Sequence, residues 1–110
     1  MAASGSRKAS IMANRISYED RRRVYGKALC AYGMENQLTV AIEEMSELTK
    51  EICKLFRGKQ NTEAIAEEVA DVTIMMEQIR YILNINDDVC TMMDIKIERL
   101  QDRICQERSK

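Results

Sequence analysis

Apolar residues recur along most of this chain at spacings of three and four, the period of a helix with one face turned inward. Leu38, Ala41, Ile42, Met45, Leu48, Ile52 and Phe56 follow that rhythm, and Ile65, Val69, Val72, Met76, Ile79 and Leu83 repeat it. A further set, Val89, Met92, Met93, Ile97, Leu100 and Ile104, marks the inner face of a last helix. The pattern predicts four helices. The first starts near Ser17, an N-cap with an acid three residues on, and continues to about Tyr32, where Gly33 stops it. The second runs from about Met34 or Glu35 to Arg57, ahead of Gly58. The third runs from an N-cap at Thr62 to about Asn84, and the fourth from a cap at Asn86 or Asp87 into the charged end QERSK.

Short connections between long helices make neighbours antiparallel, so the expected fold is all-α, an antiparallel bundle of about four helices. Residues 1–15 are rich in Ala, Ser and basic side chains without a sustained period. They are expected as a disordered tail or a remnant of expression, with 16–110 as the folding unit. The third helix carries a second apolar set, Ala70, Ile74 and Tyr81, opposite its main stripe. A helix apolar on two sides needs two neighbours, and a domain of 110 residues leaves apolar surface uncovered. Completion by a homodimer or homotetramer is therefore expected.

Composition narrows the chemistry. There is no proline and there are only four glycines, which favours long helices. With 17 basic and 18 acidic side chains, no net field points to nucleic acid or to an anionic membrane, and no window approaches the ~20 apolar residues of a membrane span. The chain has no histidine, which removes the usual nucleophile triads, common zinc sites and Glu-x-x-His di-iron bundles. Catalysis, if present, falls to carboxylates, lysines, arginines, tyrosines or thiols. Cys30, Cys53, Cys90 and Cys105 form no C-x-x-C pair and are expected as reduced, buried thiols in a cytoplasmic protein.

The acids are placed unusually. In the second helix Glu43, Glu44 and Glu47 read E-E-M-S-E, and in the third Glu68 and Asp71 read E-V-A-D. On a helical wheel Glu44 falls about 40° from Leu48 and about 60° from Ala41, at the edge of the apolar arc. With Glu68 at zero, Ile79 falls near ~20°, Val72 near ~40°, Met75 near ~340° and Asp71 near ~300°, so both acids sit inside the apolar stripe. An unpartnered carboxylate out of water costs several kcal/mol, and like charges one turn apart add repulsion. Of these acids only Glu47 has a basic residue close by, Lys50, whereas Glu19 has Arg22 and Arg23, Glu51 has Lys54 and Glu77 has Arg80. A divalent cation resolves the conflict. An antiparallel hairpin sets Glu44 and Glu47 against Glu68 and Asp71, an all-oxygen site suited to Mg²⁺, with Mn²⁺ as substitute. A solvated acidic helix face is the alternative.

The pattern E-E-x-x-E, then 20 residues, then E-x-x-D resembles the signature of the MazG-like nucleotide pyrophosphohydrolases, within the all-alpha NTP pyrophosphatase superfamily. The likeness runs from about Tyr32 to Ile104 and includes N-Q-L-T-V-A-I before Glu43 and D-I-K-I-E-R-L-Q-D-R in the last helix. The resemblance implies that Glu44, Glu47, Glu68 and Asp71 bind Mg²⁺. Glu43 either orients or deprotonates the attacking water or holds an outer ligand. It implies an enzyme that converts a nucleoside triphosphate, deoxyribonucleotides favoured, and water to the monophosphate and pyrophosphate, in house-cleaning of the nucleotide pool. Lys96 and Arg99 match the family's basic positions for the phosphate chain, while Asp94 stands where family members often have asparagine.

Two further substrate contacts come from position. Gln37 lies two turns before Glu44 on one face, placed to reach a base or sugar, and Lys54 lies toward the hairpin end, within range of phosphates. The competing readings are another reaction of the superfamily, on dUTP or phosphoribosyl-ATP, and a non-catalytic helical interaction or regulatory module whose acids bind metal to stabilise the fold.

Overall fold

The structure, a computed structural model, describes residues 15–109. The expected tail therefore lies outside the described residues apart from Arg15. Four helices and no strand make up the rest: α1 (Tyr18–Tyr32), α2 (Met34–Phe56), α3 (Thr62–Ile82) and α4 (Asn86–Arg108). The described residues fold as helices, as the spacing predicts.

The helix ends follow from single residues. Ser17 Oγ accepts the Asp20 N–H at 3.1 Å and so caps α1. Gly33, at φ 84° and ψ 160°, closes α1 and opens α2 in a backbone region that belongs almost only to glycine. Its N–H donates to the Leu29 carbonyl at 2.9 Å. The N-cap of α3 is Asn61 rather than the expected Thr62, and its side chain does not cap. Instead the Asn61 amide donates to the Glu51 carbonyl at 2.9 Å and to Glu51 Oε1 at 3.1 Å, stitching the last turns of α2 to the start of α3. At the other end α3 stops at Ile82, short of the expected Asn84, which turns the chain with φ 53°. Ile85 occupies the N-cap of α4. Asn86, expected as that cap, instead accepts the Arg80 Nε–H at 2.8 Å.

Helices α2 and α3 form an antiparallel hairpin, and α1 lies against both. Tyr25 is buried on α1, and its hydroxyl donates to Glu77 Oε1 on α3, which also takes the Arg21 Nε–H at 3.0 Å. Glu77 thus pairs across helices rather than with Arg80 one turn away. Of the second apolar flank of α3, Tyr81 meets α1, while Ala70 and Ile74 are exposed. A Cβ at Gly26 would stand 2.9 Å from the Tyr81 hydroxyl, so a larger residue there has to displace the end of the Tyr81 side chain.

Two expectations about burial are corrected. The apolar stripe of α4 has no neighbour: Met92, Met93, Ile97, Leu100 and Ile104 are exposed, and only Val89 is half-buried. The turn at Asn84 and the Arg80–Asn86 bond direct α4 away from α2, so it touches α3 alone. All four cysteines are free and exposed rather than buried, because each sits outside the seam between α2 and α3. The buried apolar residues among those described are Tyr25, Ala41 and Met75. No described helix is long and apolar enough to cross a membrane.

Candidate metal centre

Seven residues make nearly two helical turns, so positions seven apart fall on one line of a helix, about 20° from exact register. On α2 that line is Gln37, Glu44 and Glu51; on α3 the pairs are Glu68 with Met75 and Asp71 with Gln78. Gln37 is 6% exposed, and Glu51 and Gln78 are 8% exposed, so these lines face the hairpin seam. The acids between the buried ends are carried into the seam with them. Of the expected α3 stripe, Ile65, Val72, Met76 and Ile79 are half-buried, while Val69 and Leu83 are exposed.

As a result Glu44, Glu68 and Asp71 each offer a carboxylate oxygen, and these oxygens lie within 4.8 Å of one another. Glu44 and Glu68 are half-buried and Asp71 is exposed, so the triad has one side in the seam and one open to solvent. Glu68 Oε2 is buried with no hydrogen-bond partner. The ion pairs among the described residues, Arg21 with Glu77, Arg23 with Asp20 and Lys54 with Glu51, leave the triad without a cationic side chain.

The electrostatics follow. Partial burial raises the Glu44 carboxyl above its ordinary pKa, and Asp71, Glu68 and Glu47 push it the same way. Partial burial also raises Glu68, reinforced by Asp71, Glu47, Glu51 and Glu67. Glu51 behaves oppositely: hydrogen bonds from Lys54 and Asn61 hold its pKa down, outweighing its burial. One end of the acidic line is therefore neutralised by the protein, and the triad is left to something else.

Oxygens on opposite sides of an octahedral Mg²⁺ stand about 4.2 Å apart, given ~2.1 Å bonds. The triad's oxygens lie within 4.8 Å of one another, its donors are all oxygen, and Glu68 brings a buried oxygen lacking a partner. A hard divalent cation fits.

The remaining candidate residues are placed differently. Glu47 is exposed and its carboxylate stands outside the triad, near enough to act on Glu44 and Glu68 through its charge. Glu43 is exposed beside it. Gln37 is buried in the seam, and the Lys54 ammonium is 2.8 Å from Glu51 Oε2. Lys96 and Arg99 are exposed on α4, which does not reach α2 in this chain. The sequence reading missed Glu51 and Asn61 as the polar clamp next to the triad, although the step from Glu44 to Glu51 carried the signal.

Fold and site together define an all-helical protein with a carboxylate triad set in the seam of a helical hairpin. Comparison with known proteins finds no matching family model, no matching curated protein and no matching solved structure.

Proposed function

We propose that this chain is a Mg²⁺-dependent nucleoside triphosphate pyrophosphohydrolase of the MazG-like kind, converting a (d)NTP and water to the monophosphate and pyrophosphate. The observation that supports it most is the uncompensated triad, with oxygens within 4.8 Å and Glu68 Oε2 buried and unpaired. In this reading Glu44, Glu68 and Asp71 hold Mg²⁺, or Mn²⁺ in its place, and Glu47 joins them by a change of rotamer.

Bound Mg²⁺ would offset the charge of the triphosphate and lower the pKa of water at the site. Glu43, adjacent and exposed, orients the attacking water or takes its proton. The water oxygen bonds to the α-phosphorus, the bridging bond toward the β-phosphorus breaks, and pyrophosphate leaves with the electron pair. Lys96 and Arg99 have no ion-pair partner among the described residues and serve phosphate oxygens only where α4 is brought toward the triad. Lys54 is held by Glu51 and serves phosphate only if that pair opens. In this reading the reaction belongs to nucleotide-pool house-cleaning in the cytoplasm, with deoxyribonucleotides favoured.

The test is a panel of ribo- and deoxyribonucleoside triphosphates with Mg²⁺, scored for pyrophosphate against orthophosphate. Glu44→Gln and Asp71→Asn are each expected to lower Mg²⁺-dependent turnover at least ~100-fold with unchanged helicity by circular dichroism. Turnover that survives both substitutions removes the triad from the mechanism. Mg²⁺ that raises the melting temperature while no nucleotide is cleaved assigns the site to folding alone.

A further inference from the structure

At the end of α3 away from the carboxylate triad, the chain leaves a cavity of about 440 Å³, walled by Tyr18 and Arg22 of α1, Arg80 and Tyr81 of α3, and Asp87 and Asp88 of α4. Helices α1 and α4 do not pack on each other, and the cavity lies between them. Its volume falls in the range of small-molecule sites, roughly 300–1,000 Å³. Two cations and two anions share its walls, yet no ion pair joins them among the described residues. Each guanidinium is instead fixed by uncharged groups. Arg22 lies over the rings of Tyr18 and Tyr81, 5.9 Å and 5.5 Å from their centroids. Arg80 donates through Nε to Asn86 Oδ1 at 2.8 Å and through Nη2 to Cys90 Sγ at 3.2 Å, which leaves its Nη1 donors unused. Glu77, beside Arg80, is already taken by Tyr25 and Arg21.

We propose that this cavity binds a free α-amino acid as its zwitterion, with the carboxylate on Arg22 and Arg80 and the ammonium on Asp87 and Asp88. The charge balance selects that class. A simple anion such as phosphate meets the repulsion of both aspartates, and a metal ion meets that of both arginines. A molecule with one charge of each sign satisfies all four side chains and leaves none unpaired. Guanidinium forks match a carboxylate with paired hydrogen bonds, and the tyrosine rings hold Arg22 in place before the ligand arrives, which lowers the entropy lost on binding. Once bound, the amino acid ties α1 to the first turn of α4. The inference does not depend on any activity at the carboxylate triad.

Saturation-transfer NMR on the full chain with the twenty common L-amino acids, each at about 1 mM, is expected to show binding of at least one, with a Kd on the order of 0.1–1 mM by calorimetry. Arg22→Ala, and separately Asp87→Asn with Asp88→Asn, should each weaken that binding at least ~10-fold, the effect of losing a hydrogen bond to a charged group. These side chains are exposed, so circular dichroism should show unchanged helicity. Neither the deaminated nor the decarboxylated analogue of the bound amino acid should compete at ten times its concentration. Absence of binding by all twenty overturns the proposal. So does affinity that survives the Arg22 or the double aspartate substitution, or equal binding of the deaminated acid or of orthophosphate, which would make the cavity a plain anion site.

Discussion

Glu44 and Glu68 carry the main electrostatic tension of the molecule. A carboxyl raised above its ordinary pKa in the folded chain favours folding while protonated. That stability is complete below the ordinary carboxylate range and is lost as pH rises through the raised value. The metal-free protein should therefore weaken between mildly acidic and neutral pH, and Glu44→Gln should melt higher than the parent at pH 7 without metal, the difference vanishing near pH ~4. An unchanged melting point at pH 7 would show that the carboxyl is not under strain. Tyr25 offers the opposite case, a contact satisfied by the protein. Burial and then its hydrogen bond to Glu77 push the Tyr25 hydroxyl up to about 12. Its contribution is fully present below pH ~10 and lost as pH climbs through that raised value. Burial alone would raise Glu77, but the Tyr25 and Arg21 hydrogen bonds outweigh it and leave the carboxyl below its ordinary range. Tyr25→Phe is expected to cost about 1.5–3 kcal/mol in urea denaturation, the loss of a hydrogen bond to a charged group. An unchanged denaturation midpoint would remove this clamp from the stability of the α1–α3 contact.

Among the elements, the junction between α1 and α2 depends on one residue. Gly33→Ala forces a side chain into a backbone region that non-glycine residues enter at a cost of about 1–3 kcal/mol. The expected outcome is a loss of that size by chemical denaturation; no loss would show that the junction relaxes to another geometry. Helix existence and most boundaries were legible in the sequence because three-and-four spacing and Gly33 act locally. The caps of α3 and α4 were not, since Asn61 and Asn86 spend their side chains on Glu51 and Arg80, ten and six residues away. A capping preference is a local rule, and a longer-range hydrogen bond overrode it in both places.

For the molecule as a whole, the buried apolar residues, Tyr25, Ala41 and Met75, form a thin core. If association completes it, stability rises with protein concentration by mass action. The melting temperature should climb by several degrees, on the order of 3–8 °C, between 1 and ~100 μM, whereas a self-sufficient monomer would show no dependence. Crowding of acids on adjacent helices could be read from spacing, because the angular position of a residue on a helix is set by its number. Membership of the triad could not, since the rotation of α2 and α3 against each other decides that Glu44, Glu68 and Asp71 converge while Glu47 stays outside.

Sequence alone determined the four helices, the antiparallel hairpin and the presence of carboxylates where apolar residues belong, all consequences of a fixed helical period and short connections. Tertiary structure decided which oxygens converge, that Asn61 joins Lys54 on Glu51, and that α4 leaves its apolar stripe uncovered. Helix rotation and the direction of a turn depend on packing and hydrogen bonds summed over distant residues, which no local pattern encodes.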